Sequence, residues 1–454
     1  MGISSCRWLG ALLLAGCLSS APMAPAKAQS FADVGKQPPI TILINASPWY
    51  AGFQSAVELY TKQTGNVVKL DVTPYNGVLE KARNAVRGQT SPYDILNIDG
   101  FWTIEFYEGG FLRPIKDVDP TFVLPKEVLA CGNNHYWNAE KRWRTPEGGV
   151  LMGVPPNCNV HILAYRKDLY DGAGLAAPKS YDDVKAACLK LQKPPQLYGF
   201  VTRGERGNPI RYDFMPFMHG HGQTDFVKDP LNGDFTVTVN SPEMLAALKQ
   251  FIDLHKTCGP ANHASVGQAD VIQSMSAGKA AAVQVVIAAW SNFEDKNKST
   301  VVGKVGAAPI PSAVPGKPGV ASIGNWDLTI PKNIAPEQQK AAIAFLKWFV
   351  TPQAQRAYAE AGGIPVRSDT LTSDLAKKPQ FNWMAPYLQS VATAASPLGY
   401  NEGAAVEQVL GLRLNQALLG EMSPGKALNT AAGEVEAIFA RSGRKTGKLP
   451  PLPE

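Results

Sequence analysis

Short apolar runs and helical stripes alternate from residue 38 onward. Ile40 to Ile44 is a compact β-branched run, the pattern of a buried strand. Phe53, Ala56, Val57 and Tyr60 then recur at helical spacing, and Gly65 is placed to end that helix. Val67 to Val72 reads as a second strand. Val78, Leu79, Ala82, Ala85 and Val86 mark a second helix that stops at Gly88, and Tyr93 to Ile98 reads as a third strand. This β-α-β-α-β order predicts a parallel sheet with right-handed crossovers. The pattern loosens over 109–153 and resumes with strands over 160–165 and 197–201. A capping box of Ser180 and Asp183 stands before a helix carrying Val184, Ala187, Cys188 and Leu191. Met244 to His255 reads as a helix, Ala281 to Ile287 as a strand leading to Trp290, and Lys304 to Ile310 as extended. The last third is helical. One helix opens at Pro336, the next has Thr351 at its N-cap with Pro352 at the first position, and two more span 406–419 and 427–439. Two α/β blocks predict two lobes, with 441–454 as a basic, proline-rich, flexible tail.

A chain of 454 residues is long enough for two or three folding units. The balance of 44 Lys+Arg against 38 Asp+Glu gives +6. That modest excess is spread along the chain and predicts no nucleic-acid partner. Residues 1–28 read as a secretory signal: Arg7 supplies the positive end, 8–18 are apolar, and Ala26-Lys27-Ala28 is a small-x-small cleavage site. Leu14-Ala15-Gly16-Cys17 offers a second reading, a lipobox that would anchor the protein by lipid at Cys17. Both readings export the protein, which places it in the periplasm. The body of the chain holds Cys131, Cys158, Cys188 and Cys258, none at metal-binding or thioredoxin spacing. In an oxidising compartment an even number suggests bridges, and four cysteines allow three pairings.

Ligands of open parallel sheets bind beyond the carboxyl ends of strands. The first strand runs into Asn45-Ala46-Ser47-Pro48-Trp49, the second into Pro74-Tyr75-Asn76, the third into Asp99-Gly100-Phe101-Trp102. Each end sets aromatic rings beside hydrogen-bonding groups, which suits the C–H faces and hydroxyls of a sugar. The enzyme signatures sought are missing: no GxSxG elbow, HExxH, Walker A loop or GxGxxG stands in place. His219-Gly220-His221 lacks further ligands and predicts no metal site. Asp94 and Asp99, five apart on one strand, face opposite sides and form no catalytic pair.

Four segments in order resemble the maltose-binding-protein-like extracellular solute-binding proteins, family 1, of ABC importers. They are Tyr93-Asp94-Ile95 through Gly110-Phe111-Leu112, Gly153-Val154-Pro155 with Leu163 to Leu169, Gly278-Lys279-Ala280-Ala281 leading to Trp290, and Gly362 to Arg367. The resemblance implies an α/β, two-lobed periplasmic-binding-protein-like fold, each lobe a mostly parallel sheet flanked by helices. Three segments would hinge the lobes: 159–166, 306–311, and the chain just after Arg367. The N-lobe would comprise 38–160 with 312–368 and the C-lobe 161–311 with 369–440. It implies a monomer that captures a small carbohydrate-type solute (sugar, oligosaccharide or polyol) and delivers it to transmembrane permease subunits, with no cofactor and no chemistry. Trp290 matches an aromatic that stacks on sugar, and Asp99 and Trp102 match a third-strand contact region. Asn157, Trp326 and Arg367 fall where the cleft floor, the re-entry to the N-lobe and the hinge would be. Together with Trp49 and Tyr75 these are the expected ligand-binding residues. The expected bridges are Cys131–Cys158, which brackets the irregular segment, and Cys188–Cys258, which joins two helix ends. A secreted glycosidase using Asp99 with Asp213 or Glu402, or a ligand-sensing lipoprotein on the same fold, is the competing reading.

Overall fold

The structure is a computed structural model, and it describes residues 34–396 and 399–453. The expected signal segment, with Cys17, lies outside the described residues. In chain order the strands of three or more residues are β1 (Ile40–Asn45), β2 (Val68–Thr73), β3 (Ile95–Asp99), β4 (Gly153–Asn157), β5 (His161–Arg166) and β6 (Tyr198–Val201). They continue as β7 (Val227–Asp229), β8 (Asp234–Val237), β9 (Ala280–Val286), β10 (Val305–Ala308), β11 (Trp326–Thr329) and β12 (Thr446–Lys448). The longer helices are α1 (Tyr50–Thr64), α2 (Tyr75–Arg87), α3 (Tyr181–Leu191), α4 (Asn208–Gly220), α5 (Pro242–Cys258) and α6 (Gln268–Ser276). After these come α7 (Pro336–Phe349), α8 (Pro352–Glu360), α9 (Met384–Thr393), α10 (Gly403–Leu419) and α11 (Pro424–Arg441).

Two sheets organise two lobes. The first has the order β2-β1-β3-β11-β4 and the second β10-β5-β9-β6. β1 runs parallel to β2 and β3, as the alternating sequence predicts. Both sheets are nevertheless mixed rather than mostly parallel. β11 lies antiparallel to β3 and β4, and β5 antiparallel to β9 and β10. The cause is the path of the chain. It leaves the first sheet after Asn157 and enters the second at His161, then leaves the second after Ala308 and returns at Trp326. A strand arriving from the other lobe comes in from the opposite end.

The first sheet is covered by α1, α7 and α8: Phe53 and Tyr60 of α1 meet Phe345, Trp348 and Phe349 of α7 edge-on or tilted, and Tyr358 of α8 packs tilted on Phe349. α3 and α5 cover β6 of the second sheet, and their Cys188 and Cys258 are joined by a disulfide. The expected capping box at Ser180 is present, with the Asp183 amide donating to Ser180 Oγ at 3.1 Å.

Two expectations are corrected here. The Cys131–Cys158 bridge is not formed, and both residues are buried free thiols. They lie against each other, and burial pushes the Cys131 thiol up, which disfavours its thiolate. The flexible tail is ordered instead. β12 pairs in parallel with β8, Asn240 Nδ2 donates to the Leu449 and Pro450 carbonyls at 3.1 and 3.0 Å, and Leu452 is buried. Its partner strand lies some two hundred residues earlier, so no local pattern announced it.

Candidate functional site

The carboxyl ends of β1 and β3, the start of α2 and the start of β11 open onto one cleft of ≈ 860 Å³. Its volume is in the upper part of the range for small-molecule sites, roughly 300–1,000 Å³. Asp99 is the last residue of β3, and the Phe101 amide donates to its Oδ1 at 2.9 Å. Thr103 Oγ1 donates to the Gly100 carbonyl at 3.0 Å, which fixes the turn that presents Trp102. The turn needs glycine: a Cβ on Gly100 would sit 2.1 Å from Asn134 Nδ2. Trp326 stands opposite Asp99 across the β3–β11 ladder. Tyr75, Trp102 and Trp326 have ring centroids 5.0, 5.8 and 5.7 Å apart. At that spacing the rings touch one another. They form one continuous wall and leave no space between them for a ligand group.

The facing wall comes from β6 and α4. β6 ends at Val201, and Arg203 follows. Asp213, on α4, accepts from Thr202 Oγ1 at 2.6 Å, from the Arg203 amide and Nε at 2.8 Å each, and from Arg203 Nη2. His161 Nε2 lies 2.8 Å from Asp213 Oδ1. Burial would raise the Asp213 carboxyl, but the Arg203 guanidinium and His161 hold it well below the usual carboxylate range. Burial pushes His161 down, so its ring is neutral with the proton on the nitrogen facing Asp213. Arg203 is thus locked in place, and its Nη1 reaches Gln268 at 3.3 Å. Arg211 is fully buried, is paired with Glu407 of α10, and lies 4.2 Å from the Phe101 ring centroid. Asn208 Nδ2 donates to Glu407 and, at 3.2 Å, to the Tyr75 hydroxyl, so the two walls touch at one end. Burial lifts the Asp99 carboxyl to about 7. Among the described residues no group of three or more His, Cys, Asp or Glu is placed to hold a metal ion.

The profile of the family described as "Bacterial extracellular solute-binding protein" matches residues 45–356. The chain belongs to this family. It is 25% identical over 429 residues to a probable ABC transporter-binding protein of Deinococcus radiodurans, covering 91% of this chain and 97% of that one. It is 22% identical to the erythritol/L-threitol-binding protein of Mycolicibacterium smegmatis, over 71% of this chain and 69% of the relative. It shares its fold with a solute-binding protein of Agrobacterium radiobacter K84 crystallised with ribitol. That match has a TM-score of 0.78 and 24% identity, over 88% of this chain and 99% of the other. No helix among the described residues is long and apolar enough to cross a membrane.

In this solute-binding protein four of the residues expected at the ligand, Tyr75, Asp99, Trp102 and Trp326, line the cleft. Four expected ligand contacts lie elsewhere. Trp49 is fully buried under α1, edge-on to Phe53. Trp290 is turned away by the short turn over Ile287–Ala289. Its ring packs on Phe293 and its Nε1 donates to the Gln380 carbonyl at 3.2 Å. Arg367 is tied to Asp369, Glu127 and the Val350 carbonyl. Asn157 is buried beside Trp326 in the β4–β11 ladder and does not line the cleft. The proposed acid partners for Asp99 also fall away: Asp213 is consumed by Arg203, and Glu402 is paired with Arg444.

Sequence reasoning missed Arg203, Asn208, Tyr212, Gln268 and Glu407, which line the same cleft. Two signals were available. Thr202-Arg203 follows a strand that the apolar run over 197–201 identifies, so the strand-end rule reaches it. Glu407 is an acid on the stripe that continues at Leu410, Leu414 and Leu418 of α10, and a charge on a buried face calls for a partner.

Proposed function

We propose that this protein captures a polyhydroxylated solute, a polyol or a sugar, between its two lobes. It delivers that solute unchanged to the permease subunits of an ABC importer, acting as a periplasmic monomer. The observation that carries this reading is the pairing of walls. One wall is a continuous aromatic face of Tyr75, Trp102 and Trp326, and the other is a hydrogen-bonding face of Arg203, Asn208 and Gln268. Apolar C–H faces pack on the first and hydroxyls pair with the second. The relatives named for erythritol and threitol, and the one crystallised with ribitol, agree with this class. An anionic solute fits poorly, because the buried cations Arg203 and Arg211 are already neutralised by Asp213 and Glu407.

The lobes that close on the solute are 38–160 with 312–368, and 161–311 with 369–440, to which β12 adds the ordered C-terminus. Catalysis is not part of the reading. Of the carboxyls that line the cleft, Glu407 is held by Arg211 and Glu80 by Arg83, and no sequence motif pairs Asp99 with the exposed Glu205 as a glycosidase's two carboxyls. A thermal-shift screen of polyols and mono- and disaccharides tests the proposal. Solute at about 100 times its Kd adds about 2.7 kcal/mol to the folded state. The solute should be recovered intact after incubation. A panel without any shift, or a chemically altered solute, overturns it.

A further inference from the structure

The charges in the cleft do not all cancel in pairs. Arg203 is neutralised by Asp213, Arg211 by Glu407, and at the rim Arg83 by Glu80 and Glu105. Glu205 and Arg206 stand beside each other in the lining as an exposed acid and base. Asp99 is different. It is 4% exposed, lines the cleft, and has no cation within 4.0 Å among the described residues. The Phe101 amide donates to it at 2.9 Å, and the Tyr75 hydroxyl lies nearby. A carboxylate offers about four acceptor sites, so capacity remains. The aromatic wall of Tyr75, Trp102 and Trp326 adjoins it, and ring faces attract cations.

We infer that the solute carries a protonated amine, as in an amino sugar or amino polyol, and that Asp99 is the residue that selects it by pairing with the ammonium against the aromatic wall. This rests on the polyol or sugar reading above and narrows it. A hydroxyl at the same place gains one ordinary hydrogen bond. An ammonium gains a charge-assisted one and supplies the counter-charge that the site lacks.

The pH dependence follows from the groups around Asp99. Tyr75 faces it from α2, Arg211 and Tyr212 from α4, Glu407 from α10, Asp327 from β11, and Arg144 from the preceding loop segment. Of these, Arg211 is held by Glu407, and Arg144 bonds the Gly100 carbonyl and Asn134. Burial sets Asp99 at about 7, so below neutrality it carries a proton that an ammonium must displace. The amine of an amino polyol such as 1-amino-1-deoxy-D-glucitol, which has no electron-withdrawing carbonyl carbon beside it, stays largely protonated throughout this range. Amine binding therefore strengthens from pH 6 to pH 8 and releases a proton.

The test uses the whole exported protein and matched pairs of solutes: 1-amino-1-deoxy-D-glucitol with D-glucitol, D-glucosamine with D-glucose, and D-galactosamine with D-galactose. Titration calorimetry at pH 7 should find at least one amine bound at least tenfold more tightly than its hydroxyl partner. For the amino glucitol the preference should grow from pH 6 to pH 8. Repeating the titration at pH 6.5 in buffers of different ionisation enthalpy should show proton release. Asp99→Asn should reduce the preference to threefold or less. Hydroxyl solutes that bind as well as their amines overturn the inference and leave the polyol or sugar reading standing. If neither class binds, both fall. Should Asp99→Asn not fold, the wild-type proton count decides, and amine binding without proton release overturns the inference.

Discussion

Trp102 and Trp290 are both tryptophans in segments that follow a strand, yet they have opposite neighbourhoods. Trp102 and Trp326 face the cleft, while Trp290 is sealed against Phe293. Trp102→Ala and Trp326→Ala should each weaken solute binding by about 1–3 kcal/mol, measured by calorimetry, through loss of stacking area. Trp290→Ala should instead cost about 3–5 kcal/mol of stability in chemical denaturation. A change of affinity with unchanged stability would place Trp290 on the solute. Asp327 provides a second residue-scale prediction. It is fully buried, neither carboxylate oxygen accepts a hydrogen bond, the His135 ring 3.8 Å away is kept neutral by its own burial, and burial lifts the Asp327 carboxyl to about 8. Unfolded, it titrates near 4. The folded state therefore holds a proton that the unfolded chain has lost, and this contribution to stability declines as pH rises from about 4 to about 8. Asp327→Asn keeps the neutral shape. Its stability relative to wild type should grow by about 1 kcal/mol per pH unit between pH 5 and pH 8, read from denaturation midpoints.

α4 is the element on which the cleft depends most. From Ile210 to Gly220 every residue is buried, and the stretch includes Arg211, Asp213 and Pro216. A helix buried on all sides has no polar face, so its period cannot be seen in the sequence. Asp213→Ala should cost about 3–5 kcal/mol of stability, because Arg203 would be left buried and unpaired. The C-terminal strand is a second such element. Deleting residues 444–454 removes β12 and the bonds from Asn240, and should lower the unfolding temperature. A free tail could be removed without effect. The Cys188–Cys258 bridge closes a separation of 70 residues. Replacing both cysteines with serine should cost about 4 kcal/mol on loop-closure entropy, seen as an earlier denaturation midpoint.

For the whole molecule, the chain passes between the two sheets in short segments, and the cleft lies between walls from both. A solute that touches both walls favours the closed arrangement, since only differential affinity shifts such an equilibrium. Small-angle scattering should show a smaller radius of gyration with saturating solute than without. Asn208→Ala, which removes the bond from α4 to Tyr75, should weaken binding by about 1 kcal/mol. An unchanged radius from an open apo form would point to a site within one lobe.

Local pattern was enough for the elements whose physics is local. The apolar run of β1, the stripe of α1, the capping box at Ser180 and the Thr351-Pro352 start of α8 each depend on neighbours a few residues away. The strand-end rule likewise placed Tyr75, Asp99 and Trp102 at the site, since three successive β-α units fix where their carboxyl ends lie. The tertiary structure decided what depends on distant partners. It set Glu407 against Arg211, β12 beside β8, and β11 antiparallel between β3 and β4. It also decided which tryptophans line the cleft, because burial belongs to the packed whole and a ring in the sequence looks the same whether it lines a cleft or fills a core.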